Sequence, residues 1–118
     1  MNLDNLKSQM RKGMLEFCVL LLLRNGDAYA SGIIEQMKQA RLIVVEGTLY
    51  PLLTRLKNDG LLAYRWEESP SGPPRKYYCL TPLGEQALTQ LAANWHEMAS
   101  TVNHLLNLNK NENLLSEQ

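Results

Sequence analysis

Long apolar runs are missing from this 118-residue sequence: the longest unbroken one, Phe17 to Leu23, is far too short to span a bilayer. The N-terminus also lacks the charged, apolar and small-residue order of a secretory signal, so a soluble, cytoplasmic protein with no membrane partner is expected. Cysteine is scarce. Cys18 and Cys79 are far apart and sit in apolar surroundings (FCVLLLL and KYYCLT), which suits packed, reduced thiols better than a disulfide frame or metal knuckle. There is no glycine-rich phosphate loop and no nucleophile elbow. His96 and His104 lie on one helix without a third ligand, so no metal and no cofactor are expected. Glu67 and Glu68, adjacent on a strand, point to opposite faces and make no acid–base pair. Nothing here reads as an enzyme.

Net charge is absent as well, but its distribution is uneven. Residues 1–84 hold eleven Lys and Arg against eight Asp and Glu, a net of +3, and residues 85–118 hold Lys110 against four Glu, a net of −3. A basic front is joined to an acidic back, a split small enough to arise by chance. The length allows one domain with a modest core.

What is present is periodicity. Leu15, Cys18, Val19 and Leu22 follow i, i+3, i+4, i+7 within a helix expected over Leu3–Arg24, ended by Asn25 and Gly26. Its N-terminal half, with Leu3, Leu6, Met10 and Met14, keeps a thinner stripe suited to a partner subunit. A short second helix is expected over Ser31–Ala40, with Ser31 as its cap and Ile33, Ile34 and Met37 facing inward. RLIVV follows as a connector or very short strand. In "VEGTLYPLLTRLKNDG", Leu49, Leu52, Leu53 and Leu56 repeat the helical stripe, while Gly47, Pro51, Thr54 and Asn58 point away, flanked by Thr48, Tyr50, Arg55 and Lys57. Pro51 is tolerated if the helix begins near Glu46, and Gly60 ends it.

Two aromatic, alternating runs, LLAYRWEES and RKYYCL, flank the turn PSGPP and predict a hairpin with Arg75 and Lys76 giving it a cationic tip. Tyr77 and Tyr78 are expected to divide between surface and core. A long helix should then run from Pro82 to about Leu108, capped by Thr81, with Leu88, Leu91, Trp95, Met98, Val102 and Leu105 spaced as a heptad seam. Residues 109–118 read as a flexible tail.

Helix, helix, helix, hairpin, long helix is the order of a mainly α winged helix-turn-helix with a two-stranded wing and a C-terminal dimerisation helix. The domain limits on this reading are 1–81 for the DNA-binding part, 82–108 for the dimer helix and 109–118 for the tail. The start of the third helix offers free N–H groups and hydroxyls to phosphate, and Arg55 can reach a guanine edge or a phosphate. Lys38 and Arg41, at the end of the second helix, suit either phosphate or the helix dipole.

The motifs EGTLYPLLTRLKNDGLL and PPRKYYCLTPLGEQAL resemble those of the PadR family of bacterial transcriptional regulators. The pattern G-T-L-Y-P-x-L-x-R-L-x-x-x-G-L is matched by Gly47, Thr48, Leu49, Tyr50, Pro51, Leu53, Arg55, Leu56, Gly60 and Leu61. Arg75, Lys76, Tyr77, Tyr78, Leu80, Thr81 and Gly84 match R-K-Y-Y-x-L-T-x-x-G. Two departures stand out: Val45 occupies the place of a polar cap, and SPSGPPRKYY makes a bulkier wing tip than a glycine-rich one.

The resemblance implies a homodimeric repressor that binds a pseudo-palindromic operator on double-stranded DNA and releases it to an effector. Its recognition helix would be 46–59, its wing 62–80 and its dimer helix 82–108. Expected DNA-binding residues are Ser31, Lys38, Gly47, Thr48, Tyr50, Pro51, Thr54, Arg55, Arg75 and Lys76. A compact subfamily is similar in placing a tryptophan where Trp95 stands, lining a pore for flat aromatic compounds; ordinary seam packing is the favoured reading of Trp95. Such a pore would be lined by Met10, Met14, Ala92, Trp95 and Met98, with Glu97 facing a cationic compound. The alternative to a regulator is a winged-helix protein-interaction module without DNA binding.

Overall fold

The computed structural model describes the backbone of residues 2–117 and the side chains of residues 2–108. Its elements are α1 (Leu3–Arg24), α2 (Ala30–Gln39), α3 (Glu46–Asn58), β1 (Leu62–Ser69), β2 (Gly72–Leu80) and α4 (Pro82–Glu117). Residues 1–88 form one compact unit and residues 89–118 a second, so the boundary falls inside α4.

In the first unit, the helical stripes read from the sequence meet in a single core. Leu15, Val19 and Leu20 of α1 pack with Ile33 and Met37 of α2, the four leucines of α3, and Leu62, Tyr78 and Leu88. Leu88 is 2% exposed, so it serves this core and not the seam for which its heptad spacing suggested it.

The helix ends are set by local chemistry. Asn2 caps α1, accepting a hydrogen bond from the Asn5 N–H at 3.0 Å. α2 starts one residue before Ser31, after an extended Tyr29 that makes no side-chain cap, which leaves Ser31 exposed in the first turn and overturns its assignment as the cap. At the other end, the Leu42 and Arg41 N–H groups bond back to Met37 and Lys38 carbonyls, closing a Schellman turn with Arg41 in the left-handed region at φ 65°. RLIVV is therefore a connector. α3 ends in the same motif, with Gly60 at φ 82° supplying that conformation without strain.

Pro51 lies inside α3, past the first turn, so its missing N–H leaves the Gly47 carbonyl without its helical donor. That lost bond is the small cost expected for a proline just past the first turn. The proline sits on the exposed face, where water or a ligand can take the bond.

The hairpin is antiparallel, with Trp66 opposite Lys76, Glu67 opposite Arg75 and Ser69 opposite Gly72. Register slips between Glu67 and Ser69, so that Pro73 and Pro74 together oppose Glu68. The turn is thus tighter than PSGPP, and its residues, Ser69 to Gly72, carry no cation. Arg75 and Lys76 belong to the ladder and not to the tip. Ala28 and Tyr78 exchange both backbone hydrogen bonds, which pins the hairpin to the segment before α2.

Thr81 caps α4 as expected: its hydroxyl donates to the Gly60 carbonyl at 2.6 Å and accepts from the Gly84 N–H at 3.0 Å. Gly84 lies so close to Leu61 that a Cβ would overlap the Leu61 carbonyl oxygen. The backbone of α4 continues to Glu117, beyond the end expected near Leu108. No glycine or proline follows Gly84, so nothing in the sequence breaks the helix there. The side chains of the expected tail, 109–118, lie outside the described residues.

Candidate nucleic-acid interface

α3 buries Leu49, Leu52, Leu53 and Leu56, and helical geometry sends the remaining side chains outward in three directions. Gly47, Pro51, Thr54 and Asn58 point away from the core and are exposed. Tyr50 and Lys57 turn toward the wing. Thr48 and Arg55 turn toward α1.

Between α3, the start of α2 and the wing lies an open groove of about 470 Å³. Ser31, Tyr50, Thr54, Arg75 and Lys76 line it, which brings together half of the DNA-binding residues expected from sequence. Glu46 and Trp66 line it too. Lys38 is exposed at the end of α2 and lies outside this groove, as do Gly47, Thr48 and Pro51.

The wing cations rest on aromatic rings. The strand alternation sends Arg75 and Lys76 to opposite faces. Arg75 stands 4.5 Å from the Tyr29 ring centroid. Lys76 lies 4.5 Å from Tyr64 and 5.3 Å from Trp66, while Lys57 reaches the Tyr64 ring at 5.7 Å. Such contacts hold each cation by its attraction to the ring face, worth about 0.5–1 kcal/mol at exposed sites, without neutralising its charge. On the other face, Arg65 pairs with Asp27 and Glu67 and packs over Tyr77. The hydrogen bond that Arg65 donates to Asp27, then the one it donates to Glu67, raises its pKa above the ordinary value. This second cluster ties the outer face of the wing to the loop before α2.

Arg55 has an intramolecular partner: its guanidinium, 55% exposed, donates to the Glu16 carboxylate on α1. Helical periodicity correctly placed it off the core, but a partner 39 residues earlier leaves no local trace. Trp66 was not anticipated. Its signal was the alternation in LLAYRWEES, which puts it beside Tyr64 on the same face as its cross-strand partner Lys76; it is 61% exposed.

The residues expected to line an effector pore are divided between the two units. Met10 is 76% exposed and Met14 half-buried in the first. Trp95 and Met98 are exposed and Ala92 half-buried in the second. Of the expected seam, Leu91, Trp95, Met98, Val102 and Leu105 are exposed.

Three helices with a hairpin pinned beside the third, followed by a long helix, define a winged helix-turn-helix protein. The chain belongs to the PadR-like family of transcriptional regulators, whose family model matches residues 19–90. It is 68% identical to a PadR-like transcription factor from Bacteroides fragilis, with 86% of this chain and 99% of that one covered and a TM-score of 0.74. A PadR family transcriptional regulator from Eggerthella lenta is 35% identical over 87% of this chain and 90% of its own, with a TM-score of 0.79. Bacillus subtilis PadR, solved in complex with operator DNA, is 26% identical, with 67% of this chain and 47% of that one covered and a TM-score of 0.63. The family is one of regulators, not enzymes. Among the described residues no helix is long and apolar enough to cross a membrane.

Proposed function

We propose that this chain is a homodimeric repressor that binds a pseudo-palindromic operator through α3 and the wing and releases it when an effector binds at the dimer helices. The observation that carries the DNA-binding part is the groove between α3 and the wing, with hydroxyls from Ser31, Tyr50 and Thr54 and cations from Arg75 and Lys76. Hydroxyls and cations of this kind position a phosphate backbone, while the exposed face of α3, with Thr54 and Asn58, meets base edges in the major groove. The B. subtilis regulator bound to operator DNA supports the same use of this fold. Arg55 acts in this reading by holding α3 against α1.

The dimer is supported by the apolar residues left in water on α4, spaced 4, 3, 4, 3 from Leu91 to Leu105, which is the spacing of a coiled-coil seam. A two-fold pair sets its recognition helices about 34 Å apart, one DNA turn, and an effector that spreads them shifts the population toward release. A small flat aromatic or cationic compound between paired Trp95 side chains is the class of effector this arrangement suits.

The test is selection of duplexes from a random pool by the purified protein, followed by titration of the selected duplex and a scrambled one at two salt concentrations. Tight, sequence-preferring binding that weakens steeply with salt is expected. Absence of binding to any duplex even at low salt would overturn the reading in favour of a protein-interaction module.

A further inference from the structure

α1 carries two stripes. Leu3, Leu6, Met10 and Met14 lie along one, and Ser8, Arg11, Lys12 and Leu15 follow i, i+3, i+4, i+7 along another. Burial of Leu15 in the core fixes the rotation of the helix, so Ser8, Arg11 and Lys12 face the side on which α3 begins. There they form, with the connector Ile43–Val45 and Thr48, a groove of about 300 Å³ on the opposite flank of α3 from the wing.

The chemistry of this groove is one-sided. Among the described residues, Arg11 and Lys12 have no ion-pair or hydrogen-bond partner, and no acidic residue lines the groove. Glu16, the nearest carboxylate along α1 after them, is held by Arg55. Thr48 adds a hydroxyl at the edge of the recognition helix. Val45 has no side-chain acceptor for the start of α3, and its carbonyl takes the Thr48 and Leu49 N–H groups, which leaves those of Glu46 and Gly47 pointing outward. Ile43 and Val45 stay exposed beside the cations, where an apolar surface gains nothing from water. Paired cations, hydroxyls, free N–H groups and a small apolar patch together match one partner, a deoxyribose-phosphate strand.

We propose that this groove is a second backbone-binding cleft, in which Arg11, Lys12, Ser8 and Thr48 hold the DNA strand on the α1 side of α3 while the wing holds the other strand. The proposal rests on the reading of this chain as a DNA-binding regulator. It makes α1 a bifunctional helix, with one stripe turned to the partner subunit and the other to DNA. Neither Arg11 nor Lys12 was marked by the sequence motifs.

The test is the double variant Arg11→Ala/Lys12→Ala, titrated against a duplex selected by the unaltered protein. Loss of two phosphate contacts at each half-site, four per dimer–operator complex, lowers the slope of log affinity against log salt by about 3.6, so between ~50 and ~200 mM salt the variant loses about a hundredfold less affinity than the parent. Hydroxyl-radical footprinting is expected to lose protection at one edge of each half-site, with the wing edge unchanged. Arg11→Lys should restore most of the slope. An unaltered slope and footprint in the folded double variant would overturn the cleft alone. A parent protein that binds no duplex at low salt would overturn the DNA-binding reading beneath it.

Discussion

Gly84 shows how little room one residue can have. The Cβ of Gly84→Ala would overlap the Leu61 carbonyl oxygen and approach its carbon at 3.0 Å, and the obstacle is backbone, which cannot rotate aside. The substitution is expected to destabilise the first unit by about 1–3 kcal/mol, read as a lower midpoint in denaturant titration, because the turn that joins Gly60, Thr81 and α4 must open. Cys18 and Tyr78 make a second residue-scale effect. Burial pushes the Cys18 thiol above its ordinary 9.0, and burial, then the neighbouring Tyr50 and Tyr64, pushes the Tyr78 phenol above 10.0. Each folded-state pKa lies above the unfolded one, so the folded form keeps its proton longer. Stability is complete below the unfolded values and is lost as pH rises through the folded ones. The thermal midpoint is therefore expected to hold from neutral pH to about 9 and to fall beyond it, and Cys18→Ala should remove the earlier part of that fall.

At the scale of elements, much of the architecture was legible because period and punctuation agree. Thr81 with Pro82, Gly60 after Asn58 and the leucine stripe of α3 each mark an end or a face by chemistry that acts within a few residues. Several misreadings share a cause, which is distance along the chain. The spacing that carries the core stripe of α4 runs unbroken into its seam, so periodicity alone could not tell that Leu88 faces its own domain while Leu91 does not. Arg55 was readable as off-core but not as the partner of Glu16, and the single bridge from Ala28 to Tyr78 is too short to leave a pattern. The wing turn was placed too late because Pro73 and Pro74 read as loop, yet a bulge at the margin of a two-stranded sheet accepts both. Lys76→Ala, which removes the ammonium group from the Tyr64 and Trp66 rings, is expected to keep the fold and to lower the salt slope of operator binding by about two, one per subunit of the proposed dimer. An unchanged slope by fluorescence anisotropy would take Lys76 out of the interface.

For the molecule as a whole, the proposed dimer rests on the exposed apolar residues of α4. Leu105→Glu puts a charge into an apolar stripe that a partner would have to desolvate, so the variant is expected to be monomeric by light scattering and to bind a two-half-site operator at least ~100-fold more weakly. Trp95→Ala is expected to remain dimeric and to lose the response to flat aromatic compounds; dissociation to monomer would instead make Trp95 a plain packing residue. The wing carries a further consequence for how copies of the molecule coexist. A narrow hairpin presents unpaired backbone edges, and such edges recruit strands from neighbouring chains into growing ribbons. Pro73 and Pro74 contribute no N–H to either margin of β2, and Ala28 already occupies the backbone of Tyr78 at its base. The β2 margin sealed in this way gives another chain little ladder to extend on that side, so neighbouring copies on DNA do not add strands along β2.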